Sequence, residues 1–136
     1  MSNTLVIIPT FNEKENVEAI IRAVFMQEMQ FDILVVDDNS PDGTGAIVVN
    51  LQKEFQNLFL EIRTEKQGLG TAYVEGFKWC LKRDYEFVFE MDADFSHDPK
   101  DLKRLYTVCK EDNIDLVVGS RYIKGVNVVN WPLSRV

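Results

Sequence analysis

Positive charge is scarce in this sequence of 136 residues. Its 15 Lys and Arg residues face 22 Asp and Glu residues, which gives a formal net charge of −7. Proteins that bind nucleic acids or anionic lipid surfaces neutralise phosphate groups with Lys and Arg. The charge balance therefore argues against a nucleic-acid partner and against a broad electrostatic membrane patch. It still allows a membrane-borne substrate that is reached through a local basic loop.

Long apolar runs, a signal segment and metal-binding cysteines are missing as well. No stretch approaches the roughly 20 apolar residues that cross a bilayer, and the first three residues carry no charged n-region or cleavage site. Cys80 and Cys109 lie far apart on the apolar faces of predicted helices. Such cysteines are typical of buried thiols in a reducing compartment, so we expect a cytosolic chain.

Three common catalytic motifs are also absent. The sequence has no G-x-S-x-G and no G-x-x-x-x-G-K-[ST], and no G-x-G-x-x-G follows the first predicted strand. These absences argue against a hydrolase of the nucleophile-elbow type, a P-loop enzyme and a dinucleotide-binding enzyme.

Short apolar runs alternate with amphipathic segments along the chain. The runs predict five strands, at 5–8, 33–36, 58–62, 87–89 and 116–118, with Pro9 ending the first. The first helix is expected to begin at Asn12 as its N-cap, with Glu15 at the capping-box position. Asp98 followed by Pro99 predicts the start of the fourth helix. Strands that are apolar throughout, separated by helices, predict a doubly wound, mainly parallel α/β domain over residues 1–136.

Polar residues follow the predicted strands repeatedly, at 9–13, 37–44, 92–98 and 120–122. Ligands of open parallel sheets bind at the carboxyl ends of the strands. This edge collects many carboxylates and few obvious counter-charges. Like charges about 4 Å apart repel by about 1 kcal/mol in water and by several times that near a protein surface. A divalent cation is the natural way to offset that repulsion.

Asp92 and Asp94 are the candidate ligands of that cation. Only Ala93 separates them, so one or both carboxylates can reach one hard cation while the small residue lets the backbone approach a ligand. Mg²⁺ or Mn²⁺ is commonly held by one or two carboxylates together with substrate phosphates. The alternative is a solvated acidic loop that caps the next helix.

Asp37 and Asp38 close the second predicted strand, and a carboxylate there can accept hydrogen bonds from the N–H groups of a guanine or uracil edge. We assign Asp38 to ligand binding. The alternative is turn formation, because 40–43 is good turn chemistry. Pro41, Gly43 and Thr44 are assigned to structure.

Small residues at 68–72 open the third helix, beside Lys66. They allow close approach to a phosphate or sugar, although a flexible turn before a tightly packed helix explains them equally well. Arg121 has donors suited to phosphate, or to an ion pair with a nearby Asp. His97, the only histidine, is interpreted as a packing residue at the start of a helix and not as a base.

Taken in order, five motifs resemble those of the family 2 glycosyltransferases, and within them the dolichol-phosphate or polyprenol-phosphate mannosyltransferase branch. The resemblance covers the whole chain. Its motifs are Pro9-Thr10-Phe11-Asn12-Glu13, residues 37–44, residues 68–72, Asp92-Ala93-Asp94-Phe95-Ser96-His97 and Gly119-Ser120-Arg121-Tyr122.

The resemblance implies a GT-A fold and an inverting transfer of a hexose, mannose in that branch, from GDP-mannose to a polyprenyl or dolichyl phosphate with Mg²⁺ or Mn²⁺. It implies a metal site of Asp92, Asp94 and Ser96, with Asp94 and Arg121 as catalytic residues. By matching position, the implied substrate-binding residues are Pro9, Phe11, Glu13, Val36, Asp38, Asp92, Ala93 and Arg121. Lys66 is added to the substrate-binding residues as the cationic neighbour of the small residues at 68–72. Phe11 stands where the family often has Tyr, and Ser96 stands where some members have a better metal ligand.

The segment 121–136 ends without a capping or terminal signal, so we expect a C-terminally truncated chain. Members of the resembled family continue well past this point, with acceptor-binding elements. We therefore expect membrane contact only through those elements, at the cytoplasmic face, and no transfer by residues 1–136 alone.

Several alternatives stay open. One is a non-catalytic nucleotide-sugar-binding module, and another is a family 2 enzyme with UDP-glucose as donor or a saccharide as acceptor. A phosphoacceptor receiver domain fits poorly, because it needs an Asp after the third strand and a Lys after the fifth. Arg63-Thr64 and Arg121 occupy those places.

Overall fold

The computed structural model describes residues 3–64, 69–111, 116–118 and 127–130. Strands and helices alternate along this part of the chain. In chain order they are β1 Thr4–Thr10, α1 Val17–Phe25, β2 Asp32–Asp37, α2 Thr44–Gln52, β3 Leu58–Ile62, α3 Leu69–Cys80, β4 Phe87–Glu90, α4 Asp101–Glu111, β5 Leu116–Val118 and β6 Asn127–Asn130.

The strands form one six-stranded sheet in the order β3-β2-β1-β4-β6-β5. β1 to β4 pair in parallel, whereas β6 is antiparallel to both of its neighbours. The mainly parallel sheet is confirmed, and all five predicted strands are present. β6 was not predicted, because its Asn-Val-Val-Asn sequence offers only two apolar residues, too few for a recognisable pattern.

β1 and β2 are buried on both faces of the sheet. Alternate residues of β1 and β2 point to opposite sides, as the period of two requires. Val6, Ile8, Ile33 and Val35 pack with α1, α2 and α4, while Leu5, Ile7, Leu34 and Val36 pack with α3. Helices on both faces of the sheet confirm the doubly wound architecture. The two cysteines are buried free thiols, as the apolar helix faces predicted.

Two local predictions about β1 and α1 are wrong. β1 runs through Pro9 to Thr10, which is tolerated because the pairing of β1 with β4 reaches only Ile7. Asn12 does not cap α1, whose N-cap is Asn16. Asn12 instead has φ +55°, and its N–H donates to Ser40 Oγ at 2.9 Å.

Asp98 is a cap before α4, as predicted, but Pro99 is not the first residue of the helix. Asp98 Oδ1 accepts a hydrogen bond from the N–H of Lys100 at 3.0 Å, and the Asp98 carbonyl accepts one from the N–H of Asp101 at 3.0 Å. Regular α-helix begins two residues after Pro99. Asp98 therefore caps the turn that starts the helix.

α3 lies close against the sheet at Gly76. A methyl group there would lie 2.7 Å from Cγ2 of Ile7, a fully buried residue of the central strand. Gly76→Ala is therefore expected to lower the free energy of unfolding by about 1–3 kcal/mol through overpacking.

Gly70 provides the matched control on the same helix, because a methyl group there meets nothing within 4 Å. Alanine favours helix more than glycine does, so Gly70→Ala should be neutral or stabilising by up to about 1 kcal/mol. Guanidinium unfolding measures both variants. Equal effects at the two positions would show that α3 is not seated on the sheet through Gly76.

Candidate active site at the carboxyl edge of the sheet

The order of the strands places a crevice between β1 and β4. β2 and β3 follow β1 in the chain and lie on one side of it in the sheet. The chain then crosses through α3, on the face opposite α1 and α2, to β4, which lies on the other side of β1. Such a switch point is where open α/β sheets bind their ligands. β4 ends at Glu90, level with Ile7, so the loop after β4 leaves the sheet beside the last residues of β1. The loops 11–16 and 91–98 therefore flank the crevice.

The loop after β1 is held by the loop after β2. Three successive N–H groups donate to side chains of that second loop: Asn12 to Ser40 Oγ at 2.9 Å, Glu13 to Thr44 Oγ1 at 3.0 Å and Lys14 to Asp42 Oδ2 at 3.1 Å. Gly43, with φ +95°, lets the second loop turn into α2. These contacts confirm the structural roles predicted for Gly43 and Thr44, and they fix the backbone that carries Phe11 and Glu13.

Asp37 organises the same loop from inside. Its carboxylate is 1% exposed and accepts hydrogen bonds from Thr10 Oγ1 at 2.6 Å, from Ser40 Oγ at 2.6 Å and from the N–H of Ser40 at 2.9 Å. These three donors satisfy a buried acid. Of the two consecutive acids, Asp37 is the one that forms the turn.

Asp38 has a counter-charge that was not predicted from the sequence. Arg63, the first residue after β3, donates from Nε to Asp38 Oδ1 at 2.5 Å and from Nη2 to Oδ2 at 2.9 Å. The side chains are 8% and 6% exposed, respectively. Arg63 Nη1 also donates to Thr71 Oγ1 in α3 at 3.0 Å. The expectation of an edge with few counter-charges is therefore wrong at this position.

Asp92 is held from two sides. Its Oδ1 accepts a hydrogen bond from the Tyr73 hydroxyl of α3 at 2.9 Å, and its N–H donates to His97 Nδ1 at 3.2 Å. Burial, together with the charge of Asp92, raises the pKa of Tyr73 far above its usual range, so the hydroxyl keeps its proton. His97 thus supports the acidic loop, a more specific role than packing.

Asp94 faces solvent on the same loop. Hydrogen bonds from the Ser96 side chain and from its N–H, the latter at 3.0 Å to Oδ1, lower the pKa of Asp94 below its ordinary value. Phe95 has φ +64°, an unusual conformation for a bulky residue, and its side chain is 44% exposed. Asp94 is therefore an ionised carboxylate beside a strained residue, a combination that is concentrated at functional sites.

This donor set fits a hard divalent cation shared with a substrate. Asp92 and Asp94 offer carboxylate oxygens, the ligands that Mg²⁺ and Mn²⁺ prefer. Within the described part of the chain, no group of three or more His, Cys, Asp or Glu side chains could hold a metal ion by itself. The remaining ligands would then come from phosphate oxygens and water, as is usual for Mg²⁺.

The model of the family described as "Glycosyl transferase family 2" matches residues 5–136. The chain belongs to this family. Apart from Thr4, the match covers the strands and helices described above, and it excludes a receiver domain.

Curated relatives agree with that assignment. The chain is 49% identical over 133 residues to polyprenol monophosphomannose synthase of Mycolicibacterium smegmatis, covering 97% of this chain and 50% of the relative. It is 45% identical to undecaprenyl-phosphate mannosyltransferase of Micrococcus luteus, covering 96% and 53%. It is 37% identical to dolichol-phosphate mannosyltransferase of Pyrococcus furiosus, covering 96% and 36%. The chain thus spans about half the length, or less, of these relatives.

Solved structures share the fold. A mannosyltransferase from Pyrobaculum calidifontis, in complex with GDP-Man and Mn²⁺, superposes with a TM-score of 0.80 at 21% identity, covering 94% of this chain and 44% of that one. S. aureus TarS in complex with UDP-GlcNAc gives a TM-score of 0.70 at 25% identity, covering 86% and 36%. The GT-A-type fold implied by the resemblance is confirmed.

The other residues that the family motifs imply differ in their exposure, and some lie outside the described residues. Pro9, Val36 and Ala93 have buried side chains, so they present mainly backbone to a ligand, and the small size of Ala93 also serves the core. Phe11 and Glu13 are half-buried on the loop after β1. Lys66, Gly68 and Arg121 lie outside the described residues. Over the described segments, no helix is long and apolar enough to cross a membrane.

Proposed function

We propose that the protein transfers mannose from GDP-mannose to a polyprenyl or dolichyl phosphate, with inversion at the sugar carbon. The observation that carries this proposal is that Asp92 and ionised Asp94 lie on one loop at the switch point, opposite the loop that holds Phe11 and Glu13. The sugar and the acceptor are supported by the names of the three relatives. The donor and the metal are supported by the complex of the structural neighbour.

The donor would lie across the crevice. Phe11 offers an aromatic face to the base, and Asp38, oriented by Arg63, offers a carboxylate oxygen to the N–H groups of its edge. Asp92 and Asp94, with Ser96 alongside, would hold Mg²⁺ or Mn²⁺, which when bound neutralises the departing diphosphate. We assign Lys66 and Arg121 to the phosphate side of the donor.

The choice of a phosphate acceptor is supported by the engagement of the described acids at this edge, which leaves few candidates for a general base. Of the described carboxylates at this edge, Asp37 and Asp42 are engaged in the loop after β2 and Asp38 is paired with Arg63. His97 Nδ1 is engaged by the N–H of Asp92. A hydroxyl acceptor needs a base to remove its proton. A phosphate monoester, with a second pKa near ~6, is largely a dianion at neutral pH and needs only positioning.

The location of the protein follows from this acceptor. A polyprenyl phosphate resides in a membrane, and GDP-mannose is a soluble, charged donor. We therefore place the protein in the cytoplasm, at the cytoplasmic face of a membrane, with peripheral contact made outside the described residues. The net charge of −7 gives no support to a nucleic-acid partner.

Transfer from radiolabelled GDP-mannose by the full-length protein tests the proposal, with polyprenyl phosphate, the unphosphorylated polyprenol and a saccharide offered as acceptors. We expect mannose to appear on the phosphate and not on the alcohol, because only the phosphate is ionised without a base. The acidic limb of the rate profile should follow the acceptor phosphate. A saccharide acceptor that outperforms the lipid phosphate, or UDP-glucose as the better donor, would contradict the proposal.

A further inference from the structure

Tyr73 reaches from α3 to the acidic loop. Its ring packs against the core between α3 and the sheet, and its hydroxyl donates to Asp92 Oδ1 at 2.9 Å. The contact joins two elements that are 19 residues apart in the sequence. The hydroxyl has no role of its own in the transfer proposed above.

The orientation of the Asp92 carboxylate depends on this hydrogen bond. A carboxylate on a loop can rotate about its side-chain bonds, and ordering it at the moment of binding costs free energy. Here the backbone of Asp92 is tied to His97, and Oδ1 is tied to Tyr73. The carboxylate is therefore oriented before a cation binds, and its Oδ2 takes no part in the hydrogen bond to Tyr73. Hydrogen bonds of this kind to a metal-ligating carboxylate commonly change metal affinity 10- to 100-fold.

We propose that Tyr73 is a positioning residue that orients Asp92 for the divalent cation. This inference rests on the metal-assisted function proposed above. It also connects the two halves of the site, because Thr71, two residues earlier on α3, bonds Arg63 and through it Asp38. One helix therefore contacts the acid assigned to the metal directly and the acid assigned to the nucleoside through Arg63.

Tyr85 provides a matched control. Its hydroxyl donates to Asp32 Oδ2 at 2.6 Å, and both residues are buried. Burial and Asp32 raise the pKa of Tyr85 above the usual range, as burial and Asp92 do for Tyr73. Asp32 begins β2 and so lies at the opposite edge of the sheet from the site. Tyr85→Phe therefore removes an equivalent tyrosine–aspartate hydrogen bond at a position away from the candidate site.

Electron paramagnetic resonance of Mn²⁺, titrated with GDP present, compares Tyr73→Phe, Tyr85→Phe and the unmodified protein. We expect Tyr73→Phe to weaken Mn²⁺ binding roughly tenfold or more and to leave GDP binding without metal unchanged. Tyr85→Phe should keep the Mn²⁺ affinity of the unmodified protein while lowering the unfolding midpoint. Unchanged Mn²⁺ affinity in Tyr73→Phe, or an equal loss in both variants, would overturn the positioning role.

The two proposals fail separately in this experiment. A weakened Mn²⁺ site in Tyr73→Phe supports the positioning role even if the sugar donor is not GDP-mannose, because bound metal is measured and not transfer. An unmodified protein that binds Mn²⁺ normally but makes no lipid-linked mannose would overturn the proposed function alone. An unmodified protein that binds no Mn²⁺ with GDP would overturn both.

Discussion

Asp94→Asn is expected to weaken Mn²⁺-dependent binding of GDP-mannose by tenfold or more, about 1.4 kcal/mol, and to abolish most turnover. The amide keeps the shape of the side chain but removes the negative charge that Ser96 stabilises in the native loop. It also replaces a hard anionic ligand with a neutral one. Isothermal titration with and without Mn²⁺ measures the binding.

Arg121→Ala should also impair turnover, because it removes a positive charge assigned to stabilise the departing diphosphate.

Two further substitutions separate the effect of Asp94→Asn from a general loss of charge. Asp84→Asn removes an exposed acid from the turn before β4, far from the site, and should change neither binding nor turnover. His97→Ala should keep most turnover at saturating Mn²⁺, because His97 supports the loop but moves no proton. Mn²⁺-dependent affinity that survives in Asp94→Asn would remove Asp94 from the metal site. A His97→Ala variant as inactive as Asp94→Asn would contradict the base-free mechanism.

Arg63→Met is expected to lower the free energy of unfolding by about 3–5 kcal/mol, the usual cost of leaving one charge of a buried pair without its partner. Asp38 would lose two hydrogen bonds while its side chain is only 6% exposed. The double variant Asp38→Asn/Arg63→Met removes both charges and should recover a large part of that loss. Guanidinium unfolding of the singles and the double measures the coupling.

Arg22 is the control for this experiment, because it pairs with Glu18 and Glu54 on the surface, where its side chain is 41% exposed. Exposed pairs contribute little, so Arg22→Met should change stability only slightly. The double variant at Asp38 and Arg63 should fold but bind GDP-mannose weakly, since it lacks the acid assigned to the base. If Arg63→Met is no worse than Arg22→Met, the pair does not organise this side of the site.

The sequence predicted the fold well because the core strands of a doubly wound sheet are apolar throughout. Such runs are unambiguous between amphipathic helices, and β1 to β5 were all found. The start of α1 was misplaced because Asn12 and Glu15 satisfy a local capping pattern, whereas the N–H of Asn12 bonds to Ser40, 28 residues away. β6 was missed because so short a strand depends on its pairing with β4 and β5 and not on its own sequence.

The loops that form the candidate site were predicted, but the hydrogen bonds and ion pairs within the site were not. The strand ends indicated which loops meet, since that follows from topology. Asp37 forms the turn and Asp38 pairs with Arg63 because the first carboxylate faces Thr10 and the second faces Arg63. Which carboxylate faces which residue depends on three-dimensional packing. Arg63 did carry a signal, as a cation directly after the strand that neighbours β2. Tyr73 carried none, because an aromatic residue on an apolar helix face is usually only core.

Binding of GDP-mannose through a divalent cation at the edge of the sheet is tested most directly by calorimetric titration of the protein with GDP-mannose and UDP-glucose, each with and without Mn²⁺. We predict that GDP-mannose with Mn²⁺ binds most tightly and that removing Mn²⁺ weakens it at least tenfold. Equal affinity with and without Mn²⁺, or tighter binding of UDP-glucose, would contradict the claim.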